Sequence, residues 1–319
     1  MATQIGTNII VGYKVEGTIN TPPGATGAKQ LRFTPGAGLA LSKADIRSNE
    51  VRNDGLSSMG RHGSRMVQGS YGGELAVGAF DELLEAVMRS TWVAAVAITN
   101  ATMTSITTTT STIVAAAGSW LTQGVRVGDI VRLTGHSTTA NNSKNLRVLA
   151  VTATTITVPT GDLTADAVAD ASFTLTILRK VKNGATPVRR SFYFDEYNQD
   201  IDQSEVFGGN RIVSMKITGQ PDGMALIEFG VMGLSSDTLA TAASPYFTTP
   251  TLNTATALVF ADAKIRFNGV DIGIGTGFEL TYQIGAGVQP VIGSTAGRDV
   301  SDAAARLAGS LSLIREDLS

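Results

Sequence analysis

Residues 70–89 read SYGGELAVGAFDELLEAVMR, and the reading of this stretch decides the fold. Met66 to Val77 has strand character, and a glycine then opens a change of period. Phe80, Leu83, Leu84, Val87 and Met88 fall at i, i+3, i+4, i+7 and i+8, which places them on one face of a helix over Ala79–Arg89. Asp81 and Glu82 at its start and Arg89 at its end suit the helix dipole. No other segment of the chain carries so clear a helical period. The apolar stripe predicts a short helix packed on a core, attached to a chain of strands.

The strands lie on both sides of it. Upstream, Asn8–Gly17 (NIIVGYKVEG), Gln30–Phe33 and Leu39–Leu41 read as strands, with a turn-rich loop over Thr21–Gly27. A long polar stretch follows from Ser42 to Arg65, with Arg47, Glu50, Arg52, Asp54, Arg61 and Arg65 in it. A polar connection of that length inside a compact domain is usually functional or disordered. Its mixed charges suit docking against another protein, where complementary charge fixes register. Aromatic side chains are missing between Ser42 and Arg65, so a base-stacking nucleic-acid surface is disfavoured there. Downstream, strands are predicted at Ser191–Phe194, Arg211–Gly219, Ala225–Gly233, Ala263–Phe267, Gly277–Gln283 and Ala308–Arg315, with a hairpin turn at Asn268-Gly269.

Between these lies a zone of different composition. Residues 93–182 hold 20 threonines and only four acidic side chains. Apolar alternation in Val125–Leu133, Leu146–Val151, Thr155–Val158 and Phe173–Leu178 predicts five or six short strands in a small β-barrel or sandwich. The expected organisation is one β domain built from 1–92 and 183–319, with 93–182 inserted into it.

Whole-chain composition narrows the function classes. Of 319 residues 35 are glycine and aromatics are 6%, as suits an all-β chain with many turns. Lys+Arg 25 against Asp+Glu 27 excludes a strongly basic nucleic-acid binder. The absence of cysteine removes disulfide frameworks, thiolate zinc sites and cysteine nucleophiles, and two histidines make a histidine-rich metal site unexpected. No leader segment or run of about 18 apolar residues is visible, so a cytosol-like compartment and no membrane partner are expected.

Candidate chemistry is sparse. Gly273-Ile-Gly-Thr-Gly277 lacks the third glycine spacing of a dinucleotide site and reads as a bulged strand. Gly135-His-Ser-Thr-Thr139 lacks the last glycine of a nucleophile elbow and reads as a polar turn. Asp195, Glu196, Asp200, Asp202 and Glu205 form an acidic cluster. Three readings are open for it: a hard-cation site, a solvated face, or an acidic wall that repels a polyanion. No cofactor and no catalytic group are expected.

The order of elements, from the polar loop through Ser70–Val77 to the helix Ala79–Met88, resembles the major tail tube protein of tailed bacteriophages with long non-contractile tails. The motif Gly124–Leu133 with Asn141-Asn142, Val148–Val151 and Ile156–Val158 is similar to small β inserts of phage tail proteins, and Phe192–Gly233 to the second half of such tube proteins. The resemblance implies an all-β sandwich with one flanking helix, which forms a barrel on oligomerisation. Homohexameric rings would stack into a tube in the virion, assembled in the host bacterial cytoplasm, and conduct double-stranded DNA without gripping it. Further partners would be the tape-measure, tail terminator and baseplate or tip proteins. Arg47, Glu50, Arg52, Asp54, Arg61 and Arg65 would then contact the next ring. The acidic set 195–205 would face the lumen, the arm Met1–Val11 and the C-terminal segment would reach neighbouring subunits, and 93–182 would decorate the exterior. The competing expectation is a β-rich decoration or receptor- and sugar-binding module.

Overall fold

The computed structural model describes residues 8–36, 38–50, 53–56, 59–267, 270–271 and 275–314. They form two compact units. One comprises residues 1–90, 183–263 and 274–319, and the other residues 91–182 with 264–273. Residues 264–273 thus cluster with the second unit, whereas the sequence reading left them with the first.

The first unit is a β-sandwich organised around one long strand, Gln203–Gly219. Its first half pairs with Phe192–Asn198 on one side and Ser235–Thr238 on the other. Its second half pairs with Leu226–Gly233 and Gly275–Val288. The strand therefore belongs to both layers and turns the corner between them. One layer runs Thr251–Leu252, Lys29–Gln30, Ile9–Val15, Phe192–Asn198 and the first half of the long strand. The other runs Gly38–Ile46, Arg61–Glu74, Leu226–Gly233, the second half, Gly275–Val288 and Val300–Leu313.

The corner is built from polar residues that periodicity does not reveal. Gly209 adopts φ +66°, a left-handed conformation that costs glycine least. Its N–H donates to Oε1 of buried Glu16 at 2.9 Å, and the Asn20 N–H donates to Oε2 at 3.0 Å. Next to it, fully buried Asn210 donates through Nδ2 to the carbonyls of Phe192 (3.0 Å) and Phe207 (2.7 Å). Breaking the ladder at a corner leaves backbone groups that need partners, and these two side chains supply them.

The core between the layers follows the two-residue period of strands. Val11, Tyr13, Phe192, Phe194 and Phe207 come from the first layer, and Val67, Tyr71, Ile227, Phe229 and Val231 from the second. The helix spans Asp81–Val87, shorter at both ends than the periodicity predicts. Phe80, Leu83 and Val87 join the core, with Phe80 5.7 Å from the Phe229 ring. Asp81 and Glu82 do occupy its first turn, but Arg89 does not cap its end. Arg89 lies beyond the helix at φ +49°, with its guanidinium 4.0 Å from Asp302.

The second unit has its own core of Ile98, Met103, Trp120, Val131, Leu175 and their neighbours. Among the described residues it holds a four-stranded and a five-stranded sheet, and neither closes into a barrel. It also carries a one-turn helix, Asn100–Met103, that the sequence reading did not contain. The strand pair Arg266–Phe267 and Val270–Asp271 matches the expected hairpin, whose turn Asn268-Gly269 lies outside the described residues.

Candidate assembly surfaces

The polar stretch from Ser42 to Arg65 is not all loop, because both of its ends are strand. Gly38–Ile46 and Arg61–Glu74 pair antiparallel from Gly38 opposite Ser70 out to Ile46 opposite Arg61. The connection proper is residues 47–60. Beyond Leu41 this ribbon buries little on either face, so its strands need no apolar alternation and their sequence looks like loop. Arg47 donates to Asp45 Oδ2 at 2.6 Å, Asp54 Oδ1 accepts the Leu56 N–H at 3.1 Å, and the Glu50 N–H donates to Ser48 Oγ at 3.2 Å. Arg61 is exposed where the return strand begins. Arg65 stands apart at the base of the arm, where its N–H donates to the Thr295 carbonyl at 2.8 Å. Arg52 lies outside the described residues. The sequence reading missed the exposed apolar side chains of the arm, Ile46, Leu56 and Met59, the last 94% exposed.

The acidic set occupies one hairpin. Asp195 and Glu196 lie within the strand Phe192–Asn198, which runs past its expected end at Phe194 before the chain reverses. Asp195 is 2% exposed, and its Oδ2 accepts the Phe247 N–H at 3.0 Å. Glu196 reaches across the sandwich to Tyr71 and Leu39 of the other layer, accepting the Tyr71 hydroxyl and the Leu39 N–H (3.2 Å). Glu205 lies opposite Glu196 and accepts the Ser236 hydroxyl at 2.9 Å, while Asp202 accepts the Tyr197 hydroxyl at 2.7 Å. Asp200 sits in the turn. Asp195 and Glu196 are thus fasteners within the subunit.

Burial pushes the carboxyls of Glu16, Asp195 and Glu196 above the usual carboxylate range, against the lowering effect of their hydrogen bonds. Tyr71 is raised too, first by burial and then by the Glu196 charge.

The most open surface lies elsewhere. The second layer ends on Gly38–Ile46 at one side and Val300–Leu313 at the other. The latter is 14 residues long and largely exposed. On the core-facing side of this terminal hairpin stand Phe278, Leu280, Tyr282, Leu307, Leu311 and Leu313. Leu307 is 67% exposed. The opposite face of the layer is mostly small and polar, with two larger apolar side chains, Met232 and Leu226, the latter 44% exposed. It presents Gln68, Ser70 and Gly72, then Glu228 and Gly230, then Ser214, Lys216 and Thr218, then Glu279, Thr281 and Gln283, then Arg306, Ser310 and Ser312. Lys216 Nζ lies 3.1 Å from Glu279. The alternation in 278–284 was legible in sequence, but the exposure of Leu307, Leu311 and Leu313 on the strand paired with it was not.

The remaining motifs carry no chemistry. Gly275 and Gly277 lie in a strand whose register shifts between them, and Gly273 lies outside the described residues. His136 is buried with Nδ1 accepting the Thr138 N–H at 3.0 Å, and the Ser137 hydroxyl donates to Asp166 rather than to an imidazole. Among the described residues no cluster of acids and histidines could hold a metal ion, and no helix is long and apolar enough to cross a membrane.

An all-β sandwich with two open sheet edges, a projecting ribbon and an uncovered apolar strip has the make-up of a structural subunit that associates with others. The chain belongs to the phage tail tube protein family, whose pattern matches residues 6–319. It is a structural component of the phage virion, and the family's role is to build the tail tube. The chain matches no curated protein.

Proposed function

We propose that copies of this chain close into homohexameric rings, that the rings stack into the tube of a long non-contractile tail, and that the tube conducts double-stranded DNA into the host during ejection. The observation that carries this reading is the second layer of the sandwich, with open edges on both sides and an apolar strip left bare at one of them. Edge-to-edge pairing of Val300–Leu313 with Gly38–Ile46 of the next copy would satisfy both rows of backbone groups. A heterologous contact of this kind closes into a ring when its rotation allows.

In this arrangement the small, polar face of the layer lines the lumen in place of the acidic hairpin. Its charges are mixed and few, so passing DNA would release few counterions and would not be gripped. The arm tip with Arg47, Glu50, Arg52, Asp54 and Arg61 meets the next ring. The second unit decorates the exterior. Assembly takes place in the host bacterial cytoplasm, around the tape-measure protein and between the tip and terminator proteins. No reaction is catalysed.

Negative-stain electron microscopy of the purified protein, across concentration and with a preformed tail-tip complex as initiator, tests this. Hollow tubes with a regular axial repeat and sixfold end views are expected. Monomers that persist in the presence of the initiator would overturn the reading and favour a decoration or ligand-binding module.

A further inference from the structure

The strand Arg61–Glu74 ends on a different surface in each direction. At its start it carries the arm, where Ile46, Leu56 and Met59 are exposed. Its far end lies roughly 45 Å away, at about 3.4 Å per residue. There the chain runs on through Leu75 to Val77 and meets two other segments of the first unit. The Leu258 N–H donates to the Leu75 carbonyl at 2.8 Å, and the Ala225 N–H donates to the Leu258 carbonyl at 2.9 Å. Ala76 and Met224 form single bridges with Ala257 and Val259. Ala76 and Ala225 are buried in this junction, but Val77, Met224 and Leu258 remain 66%, 43% and 44% exposed. Hydrogen bonds thus hold together three segments that each leave one large apolar side chain in solvent.

Charge also separates the two ends. Residues 42–65 hold five basic side chains against three acidic ones. At the far junction, residues 74–77, 220–226 and 253–263 hold Glu74, Asp222 and Asp262 and no lysine or arginine. Asp222 and Asp262 are exposed. An apolar tip with an excess of cations and an apolar platform rimmed by carboxylates are complementary. They lie at opposite ends of one strand, so they cannot meet within one copy. Between copies they make a heterologous contact, which repeats from one copy to the next.

We propose that the arm tip of one copy seats on the platform of Val77, Met224 and Leu258 of a copy in the next ring. Leu56 and Met59 lie on the apolar side chains, and the arm's arginines turn toward Glu74, Asp222 and Asp262. This rests on the stacking reading above and adds the receiving surface to it.

The chain has no cysteine, so introduced thiols are the only ones present. Tubes grown on the tail-tip initiator from the double variant Met59→Cys, Val77→Cys are treated with a short bismaleimide, with each single variant as control. On a denaturing gel the double variant should give a ladder that runs past the size of one ring, and the single variants nothing above a dimer. Wild-type protein supplies a second measurement that needs no variant. Under brief peroxide treatment read by mass spectrometry, Met59 and Met224 should both lose most of their reactivity between free chain and tube. Tubes of the double variant without a ladder, or with a ladder that stops at one ring, overturn the proposal and leave stacking intact. So do wild-type tubes in which Met224 oxidises as fast as in the free chain. Failure of the wild-type protein to form tubes on the initiator defeats the stacking reading itself, and the proposal with it.

Discussion

Replacing Tyr71 by Phe should loosen the clasp between the two layers without opening a cavity. Tyr71 is 2% exposed, and its ring sits 5.2 Å from Phe194 and 6.5 Å from Phe33, contacts that Phe keeps. What disappears is the hydroxyl that donates to Glu196. Glu196 would retain the Leu39 N–H and lose its partner from the other layer's core. A hydrogen bond to a charged group contributes about 1.5–3 kcal/mol. At about 2–4 °C per kcal/mol for a domain of this size, the melting temperature should fall by roughly 3–12 °C. The deficit should depend on pH in a definite direction. Burial already raises the Glu196 carboxyl, and the Tyr71 bond is the largest influence that lowers it. Without that bond the folded-state pKa rises further, so Glu196 becomes neutral at higher pH. An acid raised in the folded state contributes stability that is present below its unfolded pKa and lost as pH rises through the folded one. The Y71F deficit should therefore be largest near neutrality and shrink toward the ordinary carboxylate range. Thermal melts followed by circular dichroism, in wild-type and Glu196→Gln backgrounds, measure this. A deficit below about 0.5 kcal/mol, or one equally large at every pH in both backgrounds, would refute the clasp.

Three further outcomes are expected. Stability of the wild-type protein should decline as pH rises above the ordinary carboxylate range, since Glu16, Asp195 and Glu196 are all shifted up chiefly by burial; Glu16→Gln should flatten that slope in urea titrations at several pH values. Asp166 and Asp170 act in the opposite sense and in a separate window below that range, Asp166 through the Thr138 hydroxyl and Asp170 through the Ser172 and Ser137 amides despite burial. Leu311→Lys should leave the monomer's melting within about 0.5 kcal/mol of wild type, because the side chain is exposed, yet abolish tubes in sedimentation assays. Replacing residues 47–60 by a two-residue turn between Ile46 and Arg61, which already face each other, should keep the fold and ring closure while stacking is lost, as end-on rings in micrographs would reveal.

The first unit was legible wherever a strand has one wet face and one dry face. Leu226–Gly233 alternates cleanly, and the helix stripe Phe80, Leu83, Val87 points to the core it joins. Legibility failed where both faces are wet or both are dry. The arm 42–65 reads as loop because nothing apolar is required of it. Asp195 and Glu196 read as surface because charge in sequence says nothing about a partner more than 50 or 120 residues away, as Phe247 and Tyr71 are. Glu16 carried no signal at all, since its role arises only when the chain bends at Gly209. The grouping of residues 264–273 with the second unit had no local signal, since Arg266 anchors to Asp162, with 2.6 and 2.7 Å bonds, across 104 positions of sequence.

The bare terminal strand poses a problem of register that the proposed ring must solve. A one-residue slip against a neighbour's edge would turn Leu307, Leu311 and Leu313 onto the polar face, so the apolar strip forbids odd slips. It does not forbid slips of two, which keep every side chain on its own side. Discrimination between those must come from groups that differ two residues apart. On the polar face, Arg306 is the lone charge between Ala304 and Ala308, and farther along lie only Ser310 and Ser312. On the opposing edge, Lys43 and Asp45 are two apart and opposite in sign and follow Leu39 and Leu41 on the side of the leucine strip, although the strand's register shifts between them. A slip of two would exchange which of these charges stands nearest a given position of the neighbour. Cross-strand charge pairs contribute roughly 0.2–1 kcal/mol each, and like charges cost similar amounts. Repeated at every interface of a closed ring, such a difference would grow with the number of subunits. The sparse charges of this layer would then set register, while the leucines supply adhesion.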